Sequence, residues 1–197
     1  MTDYFALLSE QRRPWLDVGS LKSKFLTLSA EVHPDRFHDR SETEKAVATQ
    51  RYTALNAAHN CLREHRHRIR HLLELELGAK PSDLTNVPDD LMESFFVVGK
   101  TFRDVDALLA QKAGATSPMM QVQYFEQSME LVELLNTLSA RIAPRRDDLL
   151  AELKTLDSIW QTGSTAHTDR LLDIWRLLSF YERWLAQIQE RIARLSF

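Results

Sequence analysis

The stretch Ala30–Arg40, AEVHPDRFHDR, places a proline between a histidine and an aspartate at the end of an amphipathic run. A proline ring fixes its own φ and pushes the preceding residue out of the α region, so a helix arriving through Glu31 and Val32 has to end there. His33 and Asp35 then flank a stiff turn, one able to exchange a proton and the other anionic. Such a pair suits catalysis, metal binding or contact with another protein, and the flanking sequence has to decide.

Helical patterns flank this turn on both sides. Asp17 stands where an N-cap belongs, and an apolar stripe follows it at helical spacing, formed by Leu21, Phe25, Leu28 and Val32. After the turn, Ser41 and Glu44 have the spacing of a capping box. They open a run predicted to stay helical as far as Gly78, a natural stop, with a buried stripe of Val47, Ala54, Leu55, Ala58, Cys61 and Leu62. Two helices joined in this way would display His33 to Asp35 at their tip.

Composition favours an all-α protein. The chain has 197 residues, 44% of them hydrophobic, with only 5 glycines and 6 prolines. A net charge of −3 gives no global sign of nucleic-acid or membrane binding, so protein partners are expected. The single cysteine, Cys61, fits a reducing compartment. The start lacks a basic leader, and no apolar run approaches the roughly 20 residues that span a bilayer, so a cytoplasmic location is predicted.

The second half of the chain follows a segment rich in proline and small polar residues, AKPSDLTNVP at 79–88, which is the best domain boundary in the sequence. Beyond it the pattern predicts three helical segments at about 88–112, 118–161 and 167–196. Pro144 should kink or split the middle segment near Ala143. Antiparallel packing of the three segments would bury their apolar stripes.

Two chemical alternatives for the histidines are weaker. An enzyme would use His33, Asp35 and His38 as an acid–base or metal cluster, but no second group of acids and no glycine-rich phosphate loop completes a site. Further along, Cys61 with His65 and His67 with His71 are spaced i, i+4. At about 100° per residue the two pairs point in different directions, so no single ion could collect all four side chains. Neither a metal nor a cofactor is predicted.

The order of these elements along the chain resembles that of a known domain family. A short first helix, a lysine-bearing amphipathic helix, HPD at 33–35 and a helix containing ALNAAHNCL resemble a J-domain, the module that stimulates ATP hydrolysis by DnaK-type chaperones. DYFALL at 3–8, HPDRF at 33–37, RHLLELELG at 70–78 and VPDDLME at 87–93 are similar to the HscB family of iron–sulfur cluster assembly co-chaperones. The similarity spans nearly the whole chain.

The resemblance implies an L-shaped all-α co-chaperone without enzymatic activity of its own. Residues 1–76 would form the J-domain, 77–87 a linker, and 88–197 a three-helix client-binding domain. Contact with an HscA/DnaK-type chaperone is implied for His33, Pro34, Asp35, Lys22, Lys24 and Arg36. Contact with an IscU-type scaffold protein is implied for Leu91, Met92, Phe95 and Phe180. Two alternatives stay open: a general J-domain co-chaperone with a different client, and a helical scaffold without chaperone activity.

Overall fold

The computed structural model describes residues 1–81, 91–114, 117–160 and 167–196. Every regular element in these ranges is helical, which confirms the all-α prediction. In chain order the α-helices are α1 (Tyr4–Leu7), α2 (Val18–Glu31), α3 (Glu42–Arg63), α4 (His65–Leu77), α5 (Met92–Lys112), α6 (Pro118–Ser158) and α7 (Thr168–Leu195), with a 3₁₀ helix at Pro34–Phe37. None of the described helices is long and apolar enough to cross a lipid bilayer.

The predicted helix signals act where they were expected. Asp17 caps α2 by accepting a hydrogen bond of 2.7 Å from the backbone amide of Ser20. Ser41 and Glu44 form both bonds of a capping box at the start of α3. Gly78 ends α4 in the left-handed conformation, with φ of 68°, which a glycine adopts without steric cost. Local side-chain and backbone chemistry therefore sets these helix ends.

Three expectations need correction or refinement. The helix predicted to run unbroken to Gly78 is interrupted at Glu64, whose backbone is extended (φ −94°, ψ 124°). Val47, predicted to be buried, is 64% exposed. Pro144 does not split the middle segment, because α6 continues through it as one helix of 41 residues.

The chain forms two compact units. The first comprises Met1–Ser82 together with Ala151–Trp175, and the second comprises Asp83–Leu150 together with Arg176–Phe197. The assignment of Ala151–Trp175 to the first unit was not anticipated from the sequence. The division into residues 1–76, 77–87 and 88–197 stays a prediction, and residues 82–90, which include most of its linker, lie outside the described residues.

In the first unit, α3 is the central helix. It contacts α1, α2, α4 and the 3₁₀ turn. The core of this unit consists of fully buried apolar side chains from α1, α2, α3 and α4, among them Phe5, Leu21, Ala58, Leu62, Ile69 and Leu72. This packing fixes the ends of α2 and α3, and so the position of the turn between them.

The second unit has its own core, built from one face of each of its helical segments. The buried members are Leu91, Val98, Phe102, Val105 and Leu108, then Leu135, Leu138 and Ile142, and finally Phe180, Trp184, Ile188 and Leu195. Arg191 lies over the ring of Phe102, with its guanidinium carbon 4.1 Å from the ring centroid, and pairs with Asp106 at 2.8 Å. These contacts join the last helix to α5.

Candidate chaperone-binding turn and client surface

The His-Pro-Asp turn is braced by its own backbone. His33 is the N-cap of the 3₁₀ helix, with φ −60° and ψ 130°, the extended conformation that a following proline imposes. The backbone amide of Asp35 donates to Nδ1 of His33 at 3.3 Å, and the backbone amide of Arg36 donates to the carbonyl oxygen of His33 at 3.0 Å. The turn therefore holds His33, Pro34 and Asp35 in one arrangement without help from a partner.

The functional groups of this turn face solvent. The side chain of His33 is 43% exposed and that of Asp35 is 89% exposed. Because Nδ1 of His33 accepts the Asp35 amide, the neutral ring carries its proton on Nε2, which becomes a hydrogen-bond donor. The ring also packs edge-on against Tyr52 of α3, with centroids 5.2 Å apart. Sequence analysis missed Tyr52, since it lies 19 positions away and carries no local signal.

The three basic residues predicted to surround the turn differ in their contacts. Arg36 donates from Nη1 to the carbonyl of Ala30 at 3.1 Å and so satisfies a terminal carbonyl of α2. Lys24 pairs with Glu10 at 2.9 Å and donates to the carbonyl of Ser9 at 3.2 Å. Lys22 is exposed on α2. Two of the three cations therefore also brace their own chain.

An apolar groove of about 360 Å³ lies beside the turn. Its lining consists of Val32, Phe37, Thr43, Glu44, Val47, Ala48 and Arg51. The groove connects the end of α2, the 3₁₀ helix and the first turns of α3. Val47 contributes to this lining because it is exposed, so the residue that sequence analysis assigned to the core belongs to a surface feature.

The four predicted client-binding residues divide into two pairs. Met92 and Phe95 are exposed, and the ring of Phe95 lies 6.2 Å from that of Phe96 in an edge-to-face arrangement. Leu91 and Phe180 are buried in the core of the second unit. The accessible apolar surface at this end of α5 therefore consists of Met92, Phe95 and Phe96, which we call the α5 patch.

Known proteins similar to this chain are co-chaperones. No protein-family model matches it. A "Co-chaperone protein HscB homolog" of Paraburkholderia phymatum is 27% identical over 195 residues, covering 98% of this chain and 95% of the relative. The protein with the same description from Shewanella loihica is 25% identical over 167 residues, covering 80% of this chain and 92% of the relative. This chain is similar to both HscB homologs over most of its length.

Solved structures show a similarity in fold. The chaperone HscB from Vibrio cholerae superposes with a TM-score of 0.67 at 21% identity, covering 98% of this chain and 99% of the other. The human co-chaperone protein HscB gives a TM-score of 0.62 at 19% identity, covering 98% of this chain and 81% of the other. The match to an HscB fold thus extends over both units of the chain.

Cys61 of α3 and two histidines of α4, His65 and His71, lie in the packed interior of the first unit or at its margin. Burial raises the pKa of Cys61 to about 11, which keeps it a thiol near neutral pH. His65 stacks on Trp15, and burial followed by the nearby Arg68 lowers its pKa to about 4. His71 accepts a hydrogen bond of 3.1 Å from the backbone amide of Tyr4. Within the described ranges, no three metal-ligating side chains are grouped closely enough to hold an ion.

Proposed function

We propose that this chain stimulates ATP hydrolysis by an HscA/DnaK-type chaperone and presents an IscU-type scaffold protein to it for iron–sulfur cluster assembly. It acts by binding both proteins and not as an enzyme. Residues 1–76 carry the chaperone contact and residues 88–197 the client contact. A cytoplasmic location is part of this proposal, favoured by the single cysteine. The observation that carries the proposal is the exposed and self-braced His33-Pro34-Asp35 turn.

The braced turn suits recognition because its groups are ordered before a partner arrives. Binding then costs little additional conformational entropy. His33 offers a ring N–H, and Asp35 offers an anionic carboxylate to a basic or amide-bearing partner surface. Lys22, Lys24 and Arg36 add positive charge, which speeds encounter with an acidic chaperone surface more than it raises the final affinity.

The groove beside the turn supplies the apolar part of the same contact. Phe37 and Val47 line it, so a partner side chain inserted there would lose contact with water while its neighbours meet His33 and Asp35. A small apolar pocket with a polar rim is the usual composition of a protein interface. The apolar groove would therefore contribute affinity for the chaperone, and the polar groups of the turn would contribute specificity.

The client contact is assigned to the α5 patch. Met92, Phe95 and Phe96 form an exposed apolar surface, and rings of this kind dominate the energetics of many interfaces. Leu91 and Phe180 belong to the core of the same unit. Holding client and chaperone on one chain raises the effective concentration of the client at the chaperone without new chemistry.

The chaperone contact is tested by His33→Gln and Asp35→Asn in single-turnover ATP hydrolysis by a DnaK-type chaperone. Both changes lie in an exposed turn, so unfolding stability should change by less than about 0.5 kcal/mol while stimulation is lost. Asp39→Asn is a matched control, because Asp39 is also 89% exposed and lies beside a histidine, His38, at 2.8 Å. Full stimulation by the His33 or Asp35 variant would refute the proposal.

Recovery of partners distinguishes the two alternatives. If the full-length protein stimulates the chaperone but binds a client unrelated to IscU, the general co-chaperone is correct. If it binds a client but does not stimulate ATP hydrolysis, the chain is a helical scaffold. No contact within the described residues favours either alternative over the main proposal.

A further inference from the structure

The outer face of the first half of α6 carries a second exposed apolar surface. Val122, Phe125 and Met129 are 62%, 64% and 55% exposed, and they follow one another at steps of three and four residues. That spacing places them on one helix face, which Val132 continues. We call these four residues the α6 stripe.

The core of the second unit uses a different face of the same helix. Leu135, Leu138 and Ile142 are buried there, together with the partly buried Tyr124 and Leu131. Of the stripe, only Val132 also packs against that core. Single exposed apolar residues need no explanation, but a contiguous row of large ones on a folded helix is typical of a protein-binding surface.

A shallow groove of about 590 Å³ extends the stripe towards the middle of α6. Met129 and Val132 line its apolar end, and Asn136, Thr137 and Ala140 line the rest. The small side chain of Ala140 leaves room for a partner residue. The flexible methionine side chain adapts to differently shaped apolar surfaces, as helix-binding grooves require.

The charge along this surface limits what can bind it. Glu126, Glu130 and Glu133 are exposed along one edge of the stripe, and Glu130 and Glu133 also line the groove. Residues 118–140 include no lysine or arginine, so the segment carries three negative charges without a compensating cation of its own. No ion pair to these three glutamates occurs in the described part of the chain. An anionic membrane or a nucleic acid would be repelled, whereas a cationic partner would be attracted.

We propose that the α6 stripe binds a basic amphipathic helix from a partner protein. Apolar residues of that helix would cover Phe125 and Met129, and its lysines or arginines would meet the three glutamates. A second copy of this chain is a poorer occupant, because a symmetric contact over 118–140 would bring two acidic edges together without basic residues from either segment. The site is separate from the α5 patch and does not depend on the proposed function.

The test uses a fluorescent helical peptide of about 18 residues, five turns, with leucines on one face and lysines on the other. Fluorescence anisotropy with the full-length protein should show binding, and the same peptide with glutamate for every lysine should not bind. The double variant Phe125→Ser/Met129→Ser should bind the lysine peptide roughly tenfold more weakly or worse. Leu26→Ser is the control, because it removes from α2 an apolar side chain that is 54% exposed, close to the 55% of Met129, and should leave peptide binding unchanged.

Charge reversal and association state complete the test. The triple variant Glu126→Lys/Glu130→Lys/Glu133→Lys should reverse the preference in favour of the glutamate peptide. Equal binding of the lysine peptide to the wild type and to the double serine variant would overturn the proposal. So would a wild-type dimer in sedimentation equilibrium that dissociates in the double serine variant, since the stripe would then bind a second copy. Circular dichroism verifies that all variants keep their helices.

Discussion

The backbone amide of Trp15 donates a hydrogen bond of 3.0 Å to Oδ1 of Asp157, 142 residues further along the chain. Nε of Arg13 donates to the same carboxylate at 3.0 Å, and this pairing raises the pKa of the Arg13 guanidinium. The ammonium group of Lys154 lies 4.5 Å from the centroid of the Trp15 ring. The last turns of α6 are thus attached to the connector between α1 and α2, within the first compact unit.

Removing the carboxylate of Asp157 should destabilise the protein. Asp157→Ala leaves a partly buried amide and an exposed guanidinium without their acceptor, so the free energy of unfolding should fall by about 1–2 kcal/mol in urea titrations. Asp147→Ala is the control, because Asp147 pairs with its neighbour Arg146 at an exposed site and should change stability by less than about 0.5 kcal/mol. Equal losses in the two variants would show that the Asp157 contacts do not stabilise the fold.

His65 should make the protein less stable in mild acid. Its pKa of about 4 lies below the ordinary value, so the unfolded chain binds a proton at higher pH than the folded chain does. The stabilising contribution of neutral His65 is therefore fully present above about pH 6.5 and is lost as the pH falls towards 4. The free energy of unfolding should fall by about 1–2 kcal/mol over this range, after allowance for the partial solvent exposure of the ring. His59 and His71 have pKa values lowered mainly by burial and act in the same direction.

The measurement is urea unfolding of the wild type and of His65→Gln at pH 7 and pH 4.5. Glutamine has an oxygen that can accept from Arg68 in place of Nδ1, at present 2.7 Å from the guanidinium, but it does not titrate. The variant should lose less stability than the wild type between the two pH values. Identical losses would assign the pH dependence to other groups.

The buried and exposed client-site residues should behave differently. Leu91→Ala removes a core side chain and should cost about 2–5 kcal/mol. The exposed pair Met92→Ala/Phe95→Ala should melt close to the wild type in circular dichroism, yet lose the extra ATPase stimulation that an IscU-type protein provides. A folded pair variant that binds the scaffold normally in calorimetric titration would remove the α5 patch from the proposal.

Salt dependence tests the chemistry of that contact. Phe95 is followed by four uncharged residues, Phe96, Val97, Val98 and Gly99. Client affinity should therefore change little between low and moderate salt, because few charges at the patch can be screened. A steep loss of affinity would indicate charged contacts elsewhere in the second unit.

Pro144 offers a test of the continuous α6. A proline inside a helix donates no hydrogen bond to the carbonyl four residues earlier, so Pro144→Ala should raise the free energy of unfolding by about 1–3 kcal/mol. Pro118→Ala is the control, since a first-turn proline replaces no helical hydrogen bond and its loss should have little effect. Thermal melts that shift equally in both variants would contradict this account.

The features predicted correctly from the sequence depend on residues that are close together in the sequence. Asp17 and Ser41 cap helices because their side chains reach amides three residues away, and Gly78 ends one because it tolerates a positive φ. Pro34 ends the preceding helical run through its ring, whatever the rest of the chain does. Such signals act within one helical turn, so the order of the helices and the His-Pro-Asp turn could be predicted without a structure.

Tertiary contacts decided the rest. The break at Glu64 has no proline or glycine to announce it; the fully buried Arg68 stabilises it by donating to the carbonyls of Leu62 at 2.8 Å and Pro14 at 2.9 Å. A guanidinium buried there needs acceptors that only the folded chain brings together, since Pro14 is 54 residues from Arg68. The packing of Tyr52 against His33 and the bond between Trp15 and Asp157 likewise join positions far apart in sequence. Helical periodicity predicts that a face is apolar, but packing decides whether that face is covered, which is why Val47 lies in a groove and Leu91 in a core.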